Sequence, residues 1–171
     1  VAGSFDGMRF NRVQPGQDTF YAELRPSGNK FEQEALDVNG LDRERLAVEG
    51  LDPREAMAAA ASWVDGVAQD HRPIFVGYPA MFDWMWIYWY FIQFHGRSPF
   101  GFSGCIDLKT MIATRAHVPV SHARKSELPE ELRAVSPHTH HALDDAIEQG
   151  EIFANVFEWQ GPDAARANRG A

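Results

Sequence analysis

The run Ile74-Phe75-Val76-Gly77-Tyr78 restricts the fold more than any other segment of this chain. It is short and apolar at successive positions, the pattern of a strand buried on both faces in a parallel sheet. Such a strand needs helices above and below it, and the flanking sequence offers them. Asp52-Pro53-Arg54-Glu55 opens a helix that runs through the alanines to about Val67. Asp52 can cap it, Pro53 suits its first position, and Glu55 sits where a capping box places an acid. On the other side, Met81 to His95 has helical length. Cys105 to Thr114 reads as a strand end entering a helix, and His141 to Glu158 as a last helix. The apolar positions of that helix, Leu143, Ala146, Ile147, Phe153, Ala154 and Phe157, fall on one face. Strands alternating with helices predict an α/β layered domain.

Residues 8–26 look rich in strand and end in the turn cluster Pro26-Ser27-Gly28-Asn29, while Asn39-Gly40 marks a helix C-terminus. Residues 117–139, polar and broken by Pro119, Pro129 and Pro137, read as a mobile connection with room for one short helix, and 160–171 as a disordered tail. The expectation is one domain over residues 1–159, and the 44% apolar composition is that of a folded chain. Cys105 is the only cysteine, which excludes an intrachain disulfide and a Cys-rich metal knuckle. The longest apolar run, Met81 to Phe94, is interrupted by Asp83 and Gln93 and falls short of the roughly 20 residues a bilayer needs. No secretory apolar core opens the sequence, so a cytoplasmic protein without a membrane partner is expected. The net charge of -8 argues against tight, general binding of long nucleic acid. It argues less against an enzyme that grips one or two terminal nucleotides through bound cations.

Two groups of residues carry potential chemistry. In His140-His141-Ala142-Leu143-Asp144-Asp145, a loop-borne His140 can fold back over the helix-borne Asp145. A carboxylate that fixes a cation beside an imidazole that takes a proton from water is the requirement of a metal-assisted hydrolase. The same pattern, taken alone, equally suits a solvated helix start with acids favoured by the helix dipole. In Tyr78-Pro79-Ala80-Met81-Phe82-Asp83-Trp84, a buried strand delivers one acid, Asp83, to the edge where α/β sheets place ligands. An N-cap for the aromatic helix is the other reading of Asp83. The run from Trp84 to Phe91 is apolar on nearly every face and suits a core or a dimer contact. His122, His138, His140 and His141 have no Cys partner and no regular helical pairing, which disfavours a zinc site. Arg115, Arg124, Lys125 and Arg133 make the 115–133 connection locally basic, as a solvated loop or as a phosphate-steering lid.

His140, Ala142 and Asp145 match His-x-Ala-x-x-Asp, and Phe82-Asp83 follows an apolar strand at the proper distance upstream. In this order and spacing the chain resembles the DEDDh class of 3'-5' exonucleases, the group of ribonuclease T, oligoribonuclease and polymerase proofreading subunits. Cys105-Ile106-Asp107-Leu108 and the turn at Asn39-Gly40-Leu41 fall at similar places in the family pattern. The resemblance implies a ribonuclease-H-like mixed sheet with helices on both faces. It implies Mg2+ or Mn2+ in a two-metal site, with Asp83 and Asp145 as ligands and His140 as general base. Phe82 and Trp84 would stack on a terminal base, with His138 and His141 near the phosphate, while the spacing of Asp144 from His140 is wrong for a ligand.

The family's first motif, Asp-x-Glu on the first central strand, does not appear on a strand here. Asp42-Arg43-Glu44 lies after the early strands, its flanks Leu41 and Arg45 do not make a buried strand, and it reads as a helix start. Val1-Ala2-Gly3 resembles the end of a second strand, so the missing acid pair and the N-terminal strand are expected upstream. The expected activity is a metal-dependent exonuclease on the 3' ends of single-stranded or short RNA or DNA, weak or absent in the chain as it stands. The expected assembly is a homodimer. The alternative is a catalytically dead nucleic-acid-binding or dimerisation module on the same fold.

Overall fold

The computed structural model describes residues 1–11 and 18–162 of the 171. Its elements follow the order β1 (Ser4–Asp6), β2 (Arg9–Asn11), α1 (Gln33–Asn39), α2 (Arg43–Glu49), α3 (Pro53–Ala68), β3 (Phe75–Gly77), α4 (Ala80–Tyr90), β4 (Cys105–Asp107), α5 (Leu108–Ala116) and α6 (Ala142–Glu158). A π-helical turn, Phe91–His95, continues α4. The architecture is mixed α/β. Among the described residues the strands form two separate pairs: β1 and β2 are antiparallel, β3 and β4 parallel.

β3 is the strand expected from the apolar run, and its register pairs Phe75 with Cys105, Val76 with Ile106 and Gly77 with Asp107. The C-terminal edges of both strands therefore lie side by side, and each leads directly into a helix. Gly77 is required at this turn. A Cβ there would lie 2.7 Å from Cα of Ala80 and 3.2 Å from Asp83 Oδ2, so a side chain would push the first turn of α4 off the strand.

The apolar interior has two clusters. One gathers Tyr78, Leu108, Ile112, Leu128, Leu132, Ile152, Phe153 and Val156 around α5 and α6. The other sets Phe91 against Ala56, Met57, Ala60 and Ala61 of α3, where the small side chains let the π turn approach closely. Asp52 caps α3 by accepting from the Arg54 N–H at 2.9 Å, with Pro53 in the first turn, as the sequence predicts. Asp42 likewise caps α2 through the N–H groups of Glu44 and Arg45, which confirms Asp42-Arg43-Glu44 as a helix start.

Three expectations change. Phe20–Leu24 is no strand but a single parallel bridge between Leu24 and Leu51, because its backbone pairs with the junction between α2 and α3. Residues 117–139 are not a loose connection: three short 3-10 turns drop Ala123, Leu128 and Leu132 into the first cluster. The sheltered surface of α6 is wider than the predicted face and includes Glu148, Ile152 and Val156. The β1–β2 hairpin covers one side of α6, with Phe10 edge-on to Phe153 at 5.3 Å and the Phe10 N–H bonded to Glu158 Oε1. The predicted tail, residues 160–171, falls from residue 163 onward outside the described residues.

Candidate metal-dependent active site

The loop that enters α6 turns back on the helix. His140 occupies the left-handed region at φ 63°, which costs a non-glycine residue about 1–2 kcal/mol and concentrates at functional sites. Its backbone N–H donates to Asp145 Oδ1 at 3.2 Å. Asp144 points elsewhere and accepts from Thr139 Oγ1 at 2.7 Å, in keeping with its exclusion on spacing. The imidazoles of His138 and His140 meet edge to face at 4.4 Å. One ligand atom each from His138, His140 and Asp145 lies within 4.8 Å of the others, the one such group of three found among the described residues. The fold-back of His140 over Asp145 expected from the sequence is thus present.

His138 Nδ1 lies 3.0 Å from Asp145 Oδ1 and 2.9 Å from Glu148 Oε2. A ring nitrogen facing two carboxylates, which only accept, must carry the proton. Glu148 Oε2 also takes Lys125 Nζ at 2.5 Å. Among the described residues, Glu148 is the charged residue buried in the core, 8% exposed. No part of the sequence analysis singled it out, and His138 entered only as a neighbour. A usable signal did exist: positions 148, 152 and 156 share a helical face, and an acid interrupts that apolar stripe.

Asp83 comes from the first turn of α4, directly after β3, but is not its N-cap, which is Pro79. Burial pushes its carboxyl above the ordinary aspartate range, and a backbone hydrogen bond and the Lys125 charge offset this only in part. Asp83 does not belong to the group of three around Asp145. Its link to them runs through Lys125, whose charge acts on Asp83 and whose ammonium pairs with Glu148.

Asp107, at the end of β4, fixes the start of α4. Its Oδ1 accepts from the Ala80 N–H at 3.2 Å and its Oδ2 from Thr110 Oγ1 at 2.6 Å. Burial raises the Asp107 carboxyl, but these bonds together with further backbone N–H groups outweigh it and hold the group below its usual range. Tyr78, between the acids and the first apolar cluster, is pushed up to about 12 by burial and by the charges of Asp107 and Glu148. It donates to the Ala123 carbonyl at 3.0 Å and stays a neutral phenol at physiological pH.

The predicted stacking residues separate. Phe82 is 64% exposed at the start of α4. Trp84 is half-buried in an aromatic group with Phe75, Tyr88 and Phe100. His141 lies against the Tyr21 ring at 4.8 Å, and Tyr21 is tied to Glu23 and through it to Arg45. An open depression of about 750 Å³, lined by Pro26, Phe31, Leu41 and Arg43 among others, contains none of these groups.

The donors suit a divalent cation. The carboxylate oxygens of Asp145 and Asp83 are hard donors of the kind that suits Mg2+ or Mn2+. A buried carboxyl such as Asp83 is a group whose charged form gains most from such an ion.

No protein-family model matches the chain. Over 135 residues it is 36% identical to the 3'-5' DNA exonuclease Cap18 of Escherichia coli, an alignment that takes in 78% of this chain and 72% of that protein. With nearly three quarters of the relative spanned at this identity, the chain belongs to the nuclease family of the 3'-5' DNA exonuclease Cap18.

Proposed function

We propose that this protein is a metal-dependent 3'-5' exonuclease of the DEDDh class, built on a ribonuclease-H-like domain over residues 1–159. It would act in the cytoplasm on the 3' ends of single-stranded or short nucleic acid. DNA is the first substrate to test, because the relative is named a DNA exonuclease. The observation that carries the reading is the convergence of His140 and Asp145, five residues apart, in one cluster with His138.

Asp145 and Asp83 hold the cation, Mg2+ or Mn2+. When bound, it neutralises phosphodiester charge and makes its water more acidic. His140 accepts the proton of the attacking water, and its place on a loop ahead of a rigid helix lets it approach while Asp145 stays fixed. Phe82, open at the start of α4, stacks on the terminal base, and such stacking is worth about 1–3 kcal/mol whatever the base. Trp84 on α4 is the second candidate for stacking, and His141, at the N-cap of α6, is the candidate contact to the phosphate. The acids of an Asp-x-Glu strand complete the metal site in the intact family pattern, so two carboxylates alone hold a cation weakly.

The test uses a 5'-end-labelled oligonucleotide with Mn2+. Stepwise shortening from the 3' end, lost in Asp145→Asn and Asp83→Asn, supports the reading. Activity retained in either variant counts decisively against this site. His140→Ala should lower the rate by about 100-fold or more, the usual yield of a positioned general base. Oligonucleotide binding without divalent ion and without cleavage would instead favour a non-catalytic binding module. The exposed apolar side of α4 is compatible with a homodimer, for which Met81, Met85, Trp86 and Trp89 would supply the contact.

A further inference from the structure

We infer that Glu148 is a positioning residue of the site, holding Lys125 on one side and, through His138, Asp145 on the other; this rests on the metal-dependent reading above. Glu148 follows Asp145 by three residues on α6, so the two carboxylates share a helix face. A single oxygen, Oε2, meets Lys125 Nζ at 2.5 Å and His138 Nδ1 at 2.9 Å. The bond to Nδ1 fixes the His138 tautomer and turns its ring against Asp145 Oδ1 on one side and the His140 ring on the other. The bond to Lys125 holds the ammonium at the same carboxylate oxygen that orients His138.

Stability alone is a poor reason for an acid at this place. Ile152 and Val156, four and eight residues on, are fully buried, so an apolar side chain at 148 would continue the stripe. Replacing a buried ion pair by apolar residues of similar volume is often neutral or stabilising. What an apolar residue cannot do is orient an imidazole and an ammonium at once. Carboxylate–histidine pairs behind metal sites do this, and their loss typically lowers metal affinity or activity about 10–100-fold.

The experiment measures Mn2+ binding by electron paramagnetic resonance, together with oligonucleotide cleavage, on the full chain. Its variants are Glu148→Ala, Glu148→Gln and the double variant Glu148→Ala with Lys125→Met, each checked by circular dichroism and thermal melting. Glu148→Ala should weaken Mn2+ binding and slow cleavage about 10-fold or more with KM little changed, as for an outer-shell partner. Glu148→Gln, which keeps an oxygen acceptor and the packing, should recover part of the loss. The double variant should regain melting temperature but not Mn2+ affinity. If its affinity also returns to the parent value, Glu148 is only the counter-ion of Lys125 and the inference fails. It fails equally if folded Glu148→Ala or Glu148→Gln binds and cleaves within twofold of the parent. Asp145→Asn is the control for the underlying reading: unchanged Mn2+ binding there, or none in the parent chain, overturns the metal site and this inference with it. A parent that binds, an Asp145→Asn that does not, and a silent Glu148→Ala overturn the inference alone.

Discussion

Asp83 bears its negative charge where burial penalises it, and the sign of the resulting pH effect follows directly. Its folded pKa lies above the ordinary aspartate value that it has in the unfolded chain. Below that ordinary value both states are protonated and no penalty applies. As pH rises through the window between the two, the unfolded chain releases its proton first, so the fold loses stability, fully so above the folded pKa. Asp83→Asn should therefore melt higher than the parent at neutral pH in a chelator, with the gap closing at acidic pH. A lower melting temperature for the Asn variant at neutral pH would show that the carboxylate is held by something more favourable than Lys125. Asp107 has the opposite sign: its depressed folded pKa gives stability that is present above the ordinary aspartate range and lost as pH falls through the folded value. This contrast was half visible beforehand. Asp83 stood out as an acid in an apolar segment. Asp107 also ends a strand, but its role is to bond across to the Ala80 N–H of another helix, and no local pattern announces a partner 27 residues away.

Among the elements, α3 and α6 differ in how they are held. α3 begins where Asp52 and Pro53 say it should, and Asp52→Ala should cost about 1 kcal/mol in chemical denaturation, the usual worth of a cap. α6 is held by packing: Ile152 is 1% exposed in the first cluster, and Ile152→Ala should cost about 2–5 kcal/mol and weaken the site that the same helix carries. A cost below about 1 kcal/mol would mean the cluster closes over the cavity. Local signals placed α3, β3, α4, α5 and α6, because caps, turns and period act over a few residues. They failed at Phe20–Leu24, where β-like composition ended in one bridge to Leu51. They failed again at residues 117–139, where prolines suggested looseness while Leu128 and Leu132 are drawn into the core. Both misses have one cause: the partner is distant in sequence, and burial there is decided by tertiary packing. Glu148 was missed for a related reason, since a charged residue on a helix is ordinarily a surface residue.

At the scale of the whole molecule, the outer side of α4 is left uncovered, with Met81, Phe82, Met85, Trp86 and Trp89 between 46% and 80% exposed. Patches of this kind mark contact with another surface. Trp86→Glu should shift the mass measured by light scattering to that of a monomer, and an unchanged mass would exclude this face from self-association. The division of the interior into two clusters bears on the proposed site in another way. Asp83 belongs to the helix whose continuation packs against α3, and Asp145 to the helix at the centre of the other cluster. A cation shared by the two acids would be a clasp between two bodies of packing, bound only when both are formed. Occupancy and folding are then one linked equilibrium: at a concentration of 100 times the Kd, the ion would contribute about 2.7 kcal/mol to the stability of the whole domain. The melting temperature of the protein would thus report on metal content in every region of the chain, including helices that never touch the ion.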